Sequence, residues 1–180
     1  ADKNWGLYKT INIDLPLKLA KTAKMKGVEL YVQMSTTSVF GEPVHISSNL
    51  EYNPRNYYGK SKMICDNELI NLNDNVFKVA LVRAPIVYGE NAPGNFLKLY
   101  RLSQLGVPLP FKKVDNQRDF IYIGNLMVFF KRLLETRTDT LIYYPTDQDP
   151  ISLDELFKLF QLYSEKKIRL FKLPGVLFKV

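Results

Sequence analysis

Cysteine, histidine and clustered glycine are what this chain of 180 residues has least of. Cys65 is the only cysteine, which excludes a disulfide framework and a cysteine-based metal centre. His45 is the only imidazole, and no Gly-x-Ser-x-Gly turn accompanies it, so a Ser-His-Asp hydrolase is excluded. No group of His and carboxylates falls at metal-ligand spacing, and no metal is expected. The nine glycines stand at 6, 27, 41, 59, 89, 94, 106, 124 and 175, never close enough for a phosphate-cradling Gly-x-Gly loop. Long apolar runs are missing as well. "LMVFF", Leu126 to Phe130, is broken by charge within a turn, so no membrane span is expected. No signal peptide is visible, and a cytoplasmic protein is the expectation.

What is present suits a folded α/β chain. A hydrophobic share of 46% and an aromatic share of 13% suffice for one good core and argue against disorder. The net charge of +7 points to an anionic partner, either nucleotide phosphates or nucleic acid. Lys18, Lys21, Lys24 and Lys26 hold much of the excess, but at helical spacing they read as a solvated face. Aromatics do not interleave with them as a single-strand platform requires. Nucleic acid is therefore not the expected partner, and a basic nucleic-acid-binding protein is kept only as a rival reading.

Periodicity orders the elements. Ile11, Leu15, Leu19 and Ala23 recur at helical spacing and stop at Gly27, with Pro16 as a potential kink. "VELYVQMS" predicts a buried strand from Val28 to Ser35, and a helix follows from Tyr57 to Asn71. "NVFKVALVRA" predicts a second strand, Val76 to Arg83, apolar enough to be covered on both faces. A Gly/Pro loop then leads to a helix over Phe96 to Leu105. "RDFIYI" is a short extended segment, Asn125 to Glu135 is helical, and "TLIYYP" is a third strand. Ser152 starts another helix with Asp154 and Glu155 in its first turn. "KIRLFKLP" is a further short strand. Strands alternating with helices imply a parallel sheet, with ligand bound beyond the carboxyl ends of its strands.

"YYGKSK", Tyr57 to Lys62, carries the chemistry. Tyr58 and Lys62 stand one helical turn apart, a spacing that Tyr163 and Lys167 also have, so spacing alone decides nothing. The context does. Tyr58 is followed by Gly59 and Ser61 at a helix start, and "STTSVFG" leaves a strand some twenty residues upstream. "LVRAPIVYG", "GNFLKLYRL" and "QRDFIYIGNL" follow in order. This set resembles the extended short-chain dehydrogenase/reductase family, within it the nucleotide-sugar epimerases, dehydratases and 4-keto reductases, over nearly the whole chain.

The resemblance implies a Rossmann-like parallel sheet with a small substrate-binding portion. It makes Tyr58 the acid/base, Lys62 its electrostatic partner and Thr36 the anchor of the sugar hydroxyl. It also puts Tyr58, Lys62 and Pro85 beside an NAD or NADP cofactor. Asn95, at a helix start, matches a contact to the substrate diphosphate, and Arg118 matches one to the nucleotide phosphate. Phe111 matches a wall of the base site. A nearby ammonium favours phenolate, so Lys62 is expected to lower the Tyr58 pKa. The implied partner is a nucleotide sugar, UDP-linked.

Two departures qualify the reading. The Gly-rich dinucleotide loop would lie ahead of Ala1, so the chain is expected to be a fragment cut at both ends, inactive alone. On that view residues 1–90 are the later part of the Rossmann-like domain and 91–180 a mix of substrate-binding segments and last sheet elements. The strand at Val28 to Met34 would then expose an edge that invites self-association, with a homodimer as one expected assembly. Ile86 also stands where several epimerases and dehydratases carry asparagine, which leaves epimerase, 4-keto reductase and dehydratase open. A non-catalytic dinucleotide sensor is the remaining rival, although a sensor has no need of a proton relay.

Overall fold

The computed structural model describes residues 4–41, 50–90, 95–114, 116–136, 139 and 141–172. His45 lies outside the described residues. The chain divides into two units, one of residues 1–85 with 128–145 and the other of 86–127 with 146–180.

The first unit opens with α1 (Trp5–Lys9), a π-helical turn (Thr10–Asp14) and α2 (Leu15–Met25). Pro16 sits in the first turn of α2, directly after the π-helical turn. Proline has no N–H to donate, and the wider turn, closed by Leu15 N–H on the Thr10 carbonyl, takes up the break. Gly27 at φ +73° ends the helix in the left-handed region, as its position predicts.

β1 (Leu30–Thr36) follows, then a 3₁₀ turn at Thr37–Phe40 and α3 (Tyr57–Ile70), and β2 (Lys78–Ala84) comes next. β1 and β2 pair in parallel from Leu30 opposite Lys78 to Thr36 opposite Ala84. β5 (Ile142–Tyr143) adds a short parallel rung on the far side of β2, giving the order β1-β2-β5. The third strand is thus shorter than "TLIYYP" predicts. β1 has no further strand on its outer edge among the described residues. The apolar run of β2 is buried from Val79 to Ala84, as a central parallel strand should be. Ala20, Cys65, Leu69, Phe77, Val79 and Leu81 form the core between helices and sheet.

The second unit contains β3 (Ile86–Tyr88), α4 (Asn95–Ser103) and β4 (Phe120–Tyr122). It also holds the start of α5 (Ile123–Glu135) and all of α6 (Leu153–Leu162). β3 and β4 pair in parallel as a separate two-stranded sheet, of which the sequence suggests only the extended "RDFIYI" side. Its core is aromatic: Phe157 meets Phe160 edge-on at 5.7 Å, and Phe96 meets Phe160 edge-on at 5.4 Å. Ser152 caps α6 in a full capping box with Glu155. Among the described residues of "KIRLFKLP", 167–172, there is one isolated bridge, Leu170 to Leu109, and no continuous strand, with Arg169 and Phe171 exchanging backbone hydrogen bonds with Leu109.

Leu81 is fully buried at the centre of β2. Leu81→Ala should cost about 2–5 kcal/mol through lost apolar burial and the cavity left behind. The check is urea unfolding, in which the midpoint falls while the slope holds.

Candidate active site

The expected catalytic residues meet at the carboxyl end of β1. Thr36 is the last residue of the strand, extended at φ −153° and ψ 151°, and 8% exposed. Its Oγ1 accepts a hydrogen bond from the Ser38 N–H at 3.2 Å, which starts the 3₁₀ turn. The same hydroxyl lies near enough to the Tyr58 phenol to pull its pKa down. Tyr58 lies in the first turn of α3, whose N-cap Asn56 accepts from the Gly59 N–H at 2.8 Å.

Gly59 explains how the helix start comes so close to the strand end. A Cβ there would stand 2.5 Å from the Ser38 carbonyl oxygen, a clash with backbone that cannot swing aside. The neighbouring Ser61, fully buried, donates to the Tyr58 carbonyl at 2.8 Å and accepts from Asn12 Nδ2 at 3.0 Å. Asn12 lies in the π-helical turn, so that irregular turn braces the first turn of α3. Sequence reading passed over Asn12. Its only signal was a polar amide inside an apolar-periodic helix.

Lys62 Nζ donates to the Met34 carbonyl of β1 at 3.0 Å. An ammonium carries three donors, so this contact anchors Lys62 and leaves two. Burial pulls the Lys62 pKa below its ordinary value, and the neighbouring Cys65 and Asp66 oppose that pull. Cys65 is itself pushed up to about 12 by burial and stays neutral at neutral pH.

The expectation that Lys62 lowers the Tyr58 pKa is corrected. Burial pushes the phenol up, the Thr36 hydrogen bond pulls it down, and the charges of Asp66 and Tyr8 push it further up. Desolvation of the phenolate outweighs the stabilising hydroxyl, and Lys62 is turned to Met34.

Behind this site lies a buried ion pair that the sequence did not disclose. Asp66, one turn beyond Lys62, is fully buried, and its Oδ2 accepts from Ser35 Oγ at 2.8 Å and from Arg83 Nε at 3.0 Å. Arg83, 2% exposed, also donates to the hydroxyls of Tyr144, at 3.0 Å, and Tyr52. The rings of Tyr52, Phe40 and Tyr144 stand 5.0, 5.3 and 5.9 Å from its guanidinium carbon. The available signal was a lone arginine in the apolar run "VALVRA" with an acid on the preceding helix.

Pro85 directly follows β2. In the second unit Asn95 opens α4, and its side chain lies outside the described residues. Arg118 is half-buried and pairs its backbone with Ile151, donating at 3.0 Å and accepting at 3.1 Å. Phe111 is half-buried and stacks on Phe157 at 5.0 Å with an interplanar angle of 5°, which makes it part of the aromatic core. Asp147 holds the unit's sheet in register, accepting from the Tyr88 hydroxyl at 2.9 Å and the Tyr122 N–H at 3.0 Å.

Tyrosinate absorbance should resolve the ionisation of Tyr58. The difference between wild type and Tyr58→Phe is expected to show one phenol titrating above the ordinary value of 10.0. A midpoint below that value would show that attraction to a cation overrides burial.

The pattern of the NAD dependent epimerase/dehydratase family matches residues 3–143. A UDP-glucose 4-epimerase of Vibrio cholerae is 28% identical over 186 aligned residues, covering 96% of this chain and 57% of that protein. The N-acetyl-alpha-D-glucosaminyl-diphospho-ditrans,octacis-undecaprenol 4-epimerase of Escherichia coli O157:H7 is 24% identical, covering 94% of this chain and 53% of that protein. Among solved structures, the UDP-glucuronic acid 4-epimerase of Bacillus cereus, in complex with UDP-glucuronic acid and NAD, superposes with a TM-score of 0.81. It is 23% identical, covering 96% of this chain and 57% of that one. The Bordetella bronchiseptica enzyme WbmG in complex with NAD gives a TM-score of 0.80 at 21% identity, covering 97% of this chain and 56% of that one. These structural likenesses establish a shared fold. The chain spans about half the length of the curated relatives it matches.

Proposed function

The chain belongs to the NAD dependent epimerase/dehydratase family, and from that premise we propose that it forms the catalytic and substrate side of a nucleotide-sugar 4-epimerase. The observation that carries the proposal is the placing of Thr36, Tyr58 and Lys62 around one strand end, with the Thr36 hydroxyl acting on the Tyr58 phenol and Lys62 bonded to the same strand. Fold likeness alone would not specify a reaction. A partly desolvated phenol beside a hydroxyl, with an ammonium one turn away, suits proton exchange with an alcohol.

In this reading Thr36 orients the sugar C4 hydroxyl and Tyr58, as phenolate, removes its proton. NAD, held beside Tyr58, Lys62 and Pro85, would supply reversible hydride exchange with C4, whose hydrogen is removed from one face and restored on the other. Tyr58 then gives the proton back to the new hydroxyl oxygen, so the sugar is inverted at C4 with no net oxidation. The two remaining donors of Lys62 suit the hydroxyls of a ribose, and Pro85 lies at the end of the adjacent strand. This donor set fits the nicotinamide end of the cofactor. No pair of glycines in the chain has the spacing of a pyrophosphate loop. Asn95, Arg118 and Phe111 are proposed for the UDP portion, as helix-start amide, phosphate-binding cation and base wall. The partner is a UDP-sugar. Dehydratase and 4-keto reductase chemistry would use the same tyrosine and are distinguished by product.

The test is an assay of the full-length gene product with UDP-glucose and added NAD, in parallel with calorimetry of UDP-glucose binding. Tyr58→Phe is expected to lower turnover about 10²–10⁴-fold while leaving UDP-glucose affinity within a few fold. Since the Tyr58 pKa lies above its ordinary value, turnover should climb with pH from neutrality as the phenolate fraction grows. Wild-type turnover by Tyr58→Phe would overturn the assignment.

We further propose a homodimer. Leu7, Ile11, Leu15 and Leu19 recur every four residues and are 50–54% exposed, an apolar stripe along α1, the π-helical turn and α2. Continuous apolar surface of this kind favours association. Sedimentation should show a concentration-dependent dimer that Leu15→Glu disperses, and a monomer at every concentration would count against it.

A further inference from the structure

We infer that Asp66 is a positioning residue of the candidate site: its carboxylate, clamped between β1 and β2, keeps the Lys62 ammonium charged and fixed one helical turn away. Describing it so rests on the role proposed for Lys62. The clamp involves three elements. Asp66 comes from α3, Ser35 from β1 and Arg83 from β2, all with their polar groups joined at Asp66 Oδ2. Oδ1 is buried with no hydrogen-bond partner among the described residues. The negative charge is therefore shared unevenly, and one oxygen is left to act through space on whatever charge lies near it.

Lys62 is such a charge, on the same helix four residues earlier. Residues at that spacing share a helix face. The charged and titratable groups around Lys62 are few. Asp66 and Cys65 come from α3, with the Cys65 thiol held neutral by burial. β1 offers the Met34 carbonyl, and Tyr58 stands one turn before. Burial pushes the pKa of Asp66 itself up, and Arg83, Ser35 and Lys62, which face it, oppose that push. Against the desolvation of a half-buried ammonium, Asp66 is the one carboxylate that acts on Lys62 among these groups. The neighbouring bonds give the clamp a positional role as well. Ser35 precedes Thr36, so the hydrogen bond from Ser35 to Asp66 ties the strand end that carries Thr36 to the helix that carries Tyr58 and Lys62.

A purely structural ion pair would hold the fold and leave the Lys62 titration alone, and that difference is measurable. Selective ¹³Cε-lysine NMR follows Lys62, assigned by loss of its resonance in Lys62→Gln, in wild type, Asp66→Asn and Ser35→Ala. In Asp66→Asn the Lys62 midpoint should fall by about one pH unit, a tenfold loss of proton affinity. Ser35→Ala removes a hydrogen bond without removing charge and should move the midpoint by no more than a few tenths. An unmoved Lys62 in folded Asp66→Asn overturns the inference. Should Asp66→Asn fail to fold, the wild-type ¹³Cγ resonance of Asp66 decides. An ionised carboxylate at pH 7 supports the inference, and a protonated one overturns it. None of these readouts needs turnover, so failure of the epimerase reading, seen in the UDP-glucose assay, is separable from failure of this one.

Discussion

The buried pair of Asp66 and Arg83 is the constraint around which the first unit is organised. Two charges removed from water are costly, and they persist only when their hydrogen bonds are met by well-placed partners. Here the partners come from distant parts of the chain: Ser35 on β1, Tyr144 just after β5, and Tyr52 from the loop before α3. Phe40 and Tyr52 stack face to face at 5.7 Å beside the guanidinium, completing an aromatic enclosure. One ion pair thus fixes the strand order, the position of α3 and the path of the chain leaving β1.

The candidate site is a consequence of that arrangement. Once α3 is held against the end of β1, its first turn must pass the Ser38 carbonyl, and only a glycine at position 59 permits the approach. The same closeness brings Tyr58 to Thr36 and buries the phenol enough to raise its pKa. Lys62 is anchored by a strand carbonyl, with Asp66 one helical turn beyond it. The short motif around Tyr58 is therefore the visible part of a larger electrostatic assembly.

The second unit rests on different physics. Its core is a set of edge-to-face and stacked rings around Phe157 and Phe160, with Asp147 bonding the two strands and the amide of Asn125. Phe111 belongs to that packing, and an aromatic side chain of this kind looks the same in a sequence whether it lines a core or a ligand. The same ambiguity hid the small sheet of β3 and β4. Three-residue strands leave too short a pattern for alternation to be recognised.

Periodicity and punctuation determined much on their own. Helical spacing ending at Gly27, the capping signal at Ser152 and the apolar run of β2 are local, because each depends on residues within a turn or a strand of one another. The order of motifs around Tyr58 was legible for the same reason, and it carried the family. Tertiary structure alone decided the partners of Asp66, Arg83 and Asn12, the separation into two sheets, and the direction of the Tyr58 pKa. Those depend on which surfaces lose water together and on distances between residues as far apart as Asn12 and Ser61. Burial and through-space charge arise when the chain closes on itself, and neither leaves a spacing in the sequence that could announce it.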